Sequence, residues 1–216
     1  MQFTDNTCSF VLVGAWNPAI LDPNWLVREI FESPQGVEVP VSMEFTPIPG
    51  AAPKFTIEGI TFIPSGDKLI LLPRDLSAES LRSVEAIALK ILQTLHHTPI
   101  AGIGENIQFV ENNPTPQQVE IFSLRDDLTE TCDLDLELDT IALKRAFSLD
   151  NGIVNLTQIY KQGTVTFEFN FHYGADSADN AAALLSDTFY QNMMKSLTIL
   201  ESYEFTPENV QELTND

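Results

Sequence analysis

Hydrophobic and polar residues alternate over much of this chain, and the alternation predicts β-strands. The clearest case is TVTFEFNFHY at 164–173, where every second residue is Val, Phe or Tyr. Other apolar or alternating runs predict strands at 10–16, 39–46, 54–63, 68–72, 100–110, 119–124, 133–139 and 153–160. The turn sequences Pro64-Ser65-Gly66-Asp67 and Lys161-Gln162-Gly163 are expected to join neighbouring strands as hairpins.

Two longer segments have the periodicity of helices. Apolar residues recur every three or four positions from about 77 to 96 and from about 177 to 200. Ser77 is expected to cap the first of these helices. A short helix is also predicted up to Phe31, with Asp22 as its N-cap and Pro23 at its first position.

Strands outnumber helices and short turns connect them, so the predicted fold class is α+β. We expect mainly antiparallel sheet with two long helices packed on one face. The polar loop at 111–118 separates two β-rich units, 1–110 and 119–205, which are expected to pack as one globule. Each unit contains one long helix, which suggests a pseudo-duplicated unit, although no residue-level repeat accompanies it. The end of the chain, 206–216, is expected to be a frayed tail.

The charge of the chain restricts its partners. It has 31 acidic and 11 basic residues, a net charge of −20, which disfavours binding to nucleic acid or to an anionic membrane. No run approaches the ~18 apolar residues of a membrane span. Without a secretory signal, a cytoplasmic protein with free thiols at Cys8 and Cys132 is expected. Residues 1–108 carry −6 and residues 109–216 carry −14, so a basic protein partner is expected on the second half.

The sequence DLDLELD at 133–139 is the most acidic strand pattern. A strand would place Asp133, Asp135, Glu137 and Asp139 on one face and leucines on the other. Alternate residues of a strand are about 6.6–7 Å apart, which is too far for one strand to hold a calcium ion. The row therefore indicates either a charge-protected edge strand or a partner-binding surface formed by these four carboxylates.

The polar face of the strand at 164–173 is a second candidate site. Glu168, Asn170 and His172 share that face and could line a groove, with His172 as an acid or base. Glu168 and His172 lie about 13 Å apart along a strand and cannot form a dyad. A solvated polar stripe is the alternative interpretation.

Catalytic and metal-binding motifs are missing from the sequence. Gly102-Ile103-Gly104 follows a helix and lacks the further glycine of a phosphate loop, so close backbone packing or a β-bulge is the better interpretation. No cofactor and no metal are expected.

The first hypothesis for the function is a non-enzymatic, acidic interaction protein. It would bind a protein partner through a sheet face or edge, in an immunity, antitoxin, inhibitor or chaperone-like role. The alternatives are a small enzyme using the groove around His172 and a structural subunit of a larger assembly. Whether the chain forms a homodimer stays open.

Overall fold

One nine-stranded antiparallel sheet forms the framework of the protein. The computed structural model describes residues 8–34, 36–44, 52–123 and 138–207. Its strands are β1 (Cys8–Gly14), β2 (Val41–Glu44), β3 (Lys54–Ile57), β4 (Ile60–Pro64), β5 (Lys68–Leu72), β6 (Ile100–Glu111), β7 (Thr140–Leu149), β8 (Gly152–Lys161) and β9 (Thr164–Gly174). Across the sheet they follow the order β2-β3-β4-β5-β1-β6-β9-β8-β7.

The helices all pack on one face of this sheet. They are α1 (Pro23–Trp25), a π-helical turn (Leu26–Ile30) that continues it, α2 (Ala78–Thr94), α3 (Pro116–Glu120), α4 (Ala178–Leu184) and α5 (Thr188–Ser202). Ring contacts from three helical regions reach the same side of the strands: Phe189 meets Phe10, Phe31 meets Phe62, and Phe122 meets Tyr160. The predicted α+β class with a mainly antiparallel sheet is confirmed.

The core lies between the sheet and the helices. Along β9, Val165, Phe167, Phe169 and Phe171 are buried while the residues between them are not. Burying one such phenylalanine contributes about 1.5–3 kcal/mol, so the aromatic side of β9 is a main source of stability. The apolar residues of the alternating sequence are therefore the residues of β9 that are buried against the helices.

The two halves of the sheet follow the same order of elements. Each begins with a strand, continues through a short helical segment and an antiparallel meander, and ends in helix. The first strands of the halves, β1 and β6, pair antiparallel at the centre, with Phe10 opposite Glu105. This order groups β6 with the second half, whereas the expected unit 1–110 included residues 100–110; a pseudo-duplicated unit stays a prediction.

The helix caps follow the sequence signals closely. The side chain of Asp22 accepts hydrogen bonds from the backbone N–H groups of Asn24 and Trp25, with Pro23 at the first helical position. The hydroxyl of Ser77 accepts from the backbone N–H of Ser80 at the start of α2. Both predicted caps are confirmed.

Two predictions for the first half of the chain are wrong. The run 54–63 is two strands, because Glu58 and Gly59 form a turn with positive φ angles of 49° and 81°. Strand β2, predicted as half-buried, is exposed along its whole length because it is the outermost strand. The outer position leaves its apolar residues without a neighbour on one side.

Three predictions for the second half are also wrong. The segment expected to be a polar loop, 111–118, contains the start of helix α3, because Thr115 and Gln118 form a capping box. The strand expected at 119–124 starts inside that helix. The helix expected over 177–200 is two helices. Asp187 adopts a left-handed conformation, with φ of 62°, and separates α4 from α5. Strand β7 was not predicted at all.

No helix in the described part of the chain is long and apolar enough to span a membrane.

Candidate functional site: the open face of the sheet

The side of the sheet opposite the helices is the candidate functional surface, and we call it the open face. It consists of the strand residues that alternate with the core residues, so the same pattern that builds the core also builds this surface. None of the described helices makes its ring contacts on this side. Its centre is formed by Ser9 and Val11 on β1, Gly104, Asn106 and Gln108 on β6, Thr166, Glu168, Asn170 and His172 on β9, and Ile153, Asn155 and Thr157 on β8.

A ladder of polar side chains crosses four central strands of the open face. The amide of Asn106 donates to the hydroxyl of Ser9 at 3.0 Å, and the amide of Asn170 donates to the carbonyl oxygen of Asn106 at 2.8 Å. The amide of Asn155 donates to Asn170 at 3.3 Å. Each pair is directly opposite in the strand register, which brings the side chains close enough to bond. The ladder fixes the orientation of these side chains.

A second row runs parallel to the ladder, one step along the strands. The amide of Gln108 donates to the carboxylate of Glu168 at 3.2 Å. Thr157 stands opposite Glu168, and Lys144 stands opposite Thr157. This row places one carboxylate and one ammonium group on the open face with polar residues between them.

His172 lies on the other side of the ladder and is exposed. Its ring lies against Gly102, where an added Cβ would be 3.2 Å from the ring Cε1 and 2.8 Å from the carbonyl oxygen of Tyr173. Gly102 therefore serves close packing between β6 and β9, as expected, and the glycine sequence lies within strand β6 and does not form a phosphate loop.

The predicted groove residues share one face, but they line neither of the two clefts found among the described residues. Glu168, Asn170 and His172 occupy successive rows, and Asn170 is hydrogen-bonded on both sides. Two clefts, of about 90 and 260 Å³, lie elsewhere and are lined by other residues. No acid, base and nucleophile converge at this place among the residues that the structure describes. These side chains form a surface that can donate hydrogen bonds to a partner and accept them from it.

The open face differs in charge from the chain as a whole. Over all nine strands it carries four lysines and two glutamates: Lys54, Lys68, Lys144, Lys161, Glu44 and Glu168. The lysines lie towards its periphery, and Lys54 pairs with Glu44 at 2.9 Å. The chain carries −20. The acidic surplus therefore lies outside the open face, whose centre is nearly neutral.

The predicted acidic row falls mostly outside the described residues, which leave out Asp133, Asp135 and Glu137. Asp139 is described and directly precedes β7. It accepts a hydrogen bond from the hydroxyl of Thr140 at 2.8 Å and lies 3.4 Å from the ammonium group of Lys161. The Thr140 hydrogen bond and the nearby Lys161 charge hold the pKa of the Asp139 carboxyl below its usual value. The charge of Asp139 is thus already partnered within the chain.

A buried polar cluster under helix α5 was missed by the sequence reasoning. Glu105 is fully buried, and one of its carboxyl oxygens accepts from the amide of Asn192 at 2.7 Å. The same amide is 2.6 Å from the hydroxyl of Tyr173. Glu85 on α2 completes the cluster near the start of α5. The available signal was the position of Glu105, which stands where the alternation of β6 demands an apolar residue.

The cluster holds the helices to the sheet; its Glu105 carboxyl is closed to solvent, while Glu85 also lines the cleft of about 260 Å³. Burial raises the pKa of Glu105 to about 7; the hydrogen bond from Asn192 acts in the opposite direction, and the charge of Glu85 adds to the rise. Burial, with the Glu105 charge, also raises the pKa of the Cys8 thiol. A protonated thiol is a poor nucleophile. Neither the Glu105 carboxyl nor the Cys8 thiol reaches the surface.

In the described ranges, no three His, Cys, Asp or Glu side chains are placed to hold a metal ion. No protein-family model matches the chain, and no curated protein matches its sequence.

Proposed function

We propose that this chain is a non-enzymatic interaction protein whose open face binds a protein partner. The observation that carries the proposal is the contrast in charge. A chain of −20 has a large surface whose centre is occupied by amides, hydroxyls and aliphatic side chains. Protein interfaces are depleted of charged residues at their core and polar at their rim. The open face has this composition, with its lysines towards the periphery.

The exposure of individual side chains supports the same proposal. Ile153 is 44% exposed and Val13 is 37% exposed, and both lie on the open face. Both lie on the His172 side of the polar ladder, whose members are held by each other. A surface whose side chains are already ordered loses less entropy when a partner binds. These features favour binding of a folded partner.

The edges of the sheet are less suited to binding than its face. Strand β2 is only four residues long, and Pro40 precedes it. Strand β7 has ten residues, but Lys144 and Arg145 occupy its middle. Short edge strands and edge cations are the devices by which proteins prevent pairing at sheet edges. Of the two routes expected from the sequence, the face is therefore the one we propose.

The charge of the open face also bears on the partner. A basic partner was expected from the net charge, but a face with more lysines than glutamates gives no attraction to it. The immunity, antitoxin, inhibitor or chaperone-like roles all require such a docking surface. We propose the cytoplasm as the setting, in which the buried free thiol of Cys8 is stable.

A pair of matched variants tests the proposed docking surface. Asn155→Glu adds a negative charge to an exposed position of the open face, and Thr198→Glu adds the same charge on the exposed side of helix α5. The full chain and both variants are compared in affinity capture from the host at low and high salt. A partner lost with Asn155→Glu and retained with Thr198→Glu supports the proposal. Equal capture by all three forms contradicts it.

A further inference from the structure

The geometry points to a second copy of this chain as the occupant of the open face, packed face to face about a two-fold axis; this inference rests on the proposed docking function. The first argument is charge. Two chains of −20 repel each other over most of their surfaces. The open face is where this repulsion is least, since its centre carries Glu168 as its one carboxylate among the residues described.

The second argument is the chemistry of the ladder. An amide side chain is both a donor and an acceptor, so a row of amides is complementary to another copy of itself. Asn106, Asn155 and Asn170 are such groups, and Ser9 and Thr157 add hydroxyls of the same dual character. A two-fold interface needs this self-complementarity, because the same patch serves both subunits.

The third argument is area. Nine strands about 4.8 Å apart, with central strands of about seven residues or more, give a face on the order of 900 Å². A stable interface buries about 800 Å² on each partner. The open face is thus large enough for one face-to-face contact and too small to serve two copies at once. The expected assembly is a closed dimer.

The test is sedimentation equilibrium of the purified full chain in low and in high salt. Protein concentrations of about 1 to 100 µM cover the range in which weak dimers dissociate. The expected mass is twice 24.0 kDa. Salt shortens the Debye length from about 10 Å at 0.1 M to about 3 Å at 1 M. Dimers of a −20 chain are therefore expected to become tighter as salt rises, whereas binding to a basic partner becomes weaker.

Three variants connect the dimer to the open face. Asn155→Glu and Asn155→Lys each bury a charge in the proposed interface and are expected to weaken dimerisation by roughly tenfold or more. Thr198→Glu, on α5, is expected to leave it unchanged. Circular dichroism confirms that each variant is folded, and the use of two opposite charges separates a packing effect from overall repulsion.

The outcomes distinguish the inference from the function on which it rests. If the chain is a monomer at every protein and salt concentration, a second copy does not occupy the open face. If Asn155→Glu then still abolishes capture of a partner, the proposed docking function stands. A dimer that survives both Asn155 variants uses another surface and also overturns the inference. A dimer that tightens with salt and is lost with both variants supports it.

Discussion

The carboxylate of Glu85 accepts the backbone N–H of Phe189 at 2.9 Å, so a side chain on α2 caps the start of α5. The hydroxyl of Thr188 is 3.3 Å from the same oxygen. Asp187, at the N-cap position, makes no side-chain cap; its backbone is left-handed, and its carboxylate accepts a hydrogen bond from Arg82 at 3.0 Å. The cap therefore comes from the first half of the chain and joins it to the last helix.

Replacement of Glu85 with alanine should destabilise the protein by about 1–2 kcal/mol, because the first N–H groups of α5 lose their acceptor in a buried place. Glu85→Gln should cost less, since its side-chain carbonyl can still accept. Urea denaturation measures the free energy of unfolding. Gln93→Ala, an exposed change on the same helix, is the control, and equal effects of Gln93→Ala and Glu85→Ala would show that the cap contributes nothing.

The stability of the protein should fall as pH rises towards neutrality, through Glu105. Its pKa is raised from 4.5 to about 7 in the folded protein. Between these two pH values the folded state therefore holds a proton that the unfolded state has lost. The contribution of Glu105 to the free energy of unfolding is fully present below pH 4.5 and is lost by about pH 7. The upper limit is about 3 kcal/mol.

Glu105→Gln isolates this effect, because it resembles the protonated carboxyl and cannot ionise. The unfolding free energies of the wild type and of Glu105→Gln should diverge between pH 4.5 and about pH 7, by up to about 3 kcal/mol, with the variant the more stable at pH 8. Parallel pH profiles for the two proteins would refute a raised pKa at this position.

The regular features of the fold could be predicted from the sequence because burial leaves a direct pattern. The alternating residues at 164–173 form β9, and Ser77 and Asp22 cap helices as predicted. Strand β7 was missed because it is an edge strand. Arg145, which stands opposite the buried Leu156, interrupts its alternation, and only one neighbouring strand constrains it.

The candidate site was only partly visible in the sequence. The pattern placed Glu168, Asn170 and His172 on one face, which is correct, but the alignment of Asn106 with Asn170 depends on the pairing of strands about 60 residues apart. No local pattern encodes such a register. The break at Asp187 was hidden for a related reason, since the residues around it keep helical spacing while Glu85 on α2 supplies the cap.

The polar ladder should stabilise the protein through coupled hydrogen bonds. Asn106→Ala and Asn170→Ala should each cost about 1 kcal/mol, and the double variant should cost less than the two single changes together, because both remove the same 2.8 Å bond. A double-mutant cycle in urea measures this coupling. The pair Asn106→Ala and Thr198→Ala, in which the residues do not contact each other, should be additive. An additive result for the Asn106 and Asn170 pair would mean that their bond is not stabilising.

Gly102 should be intolerant of any side chain, because β6 and β9 approach closely at this position. A Cβ there would lie 2.8 Å from the backbone oxygen of Tyr173, which cannot move without disturbing the pairing of β9. Gly102→Ala should therefore destabilise the protein by about 1–3 kcal/mol. It should also displace the ring of His172, since the new methyl group would be 3.2 Å from its Cε1. Gly66→Ala is the matched control, as nothing lies within 4 Å of its added Cβ. Thermal or urea unfolding measures the stability, and the NMR shift of the His172 ring reports its displacement. If both glycine variants were equally stable, β6 and β9 would have to be separated more widely at this point than the strand pairing allows.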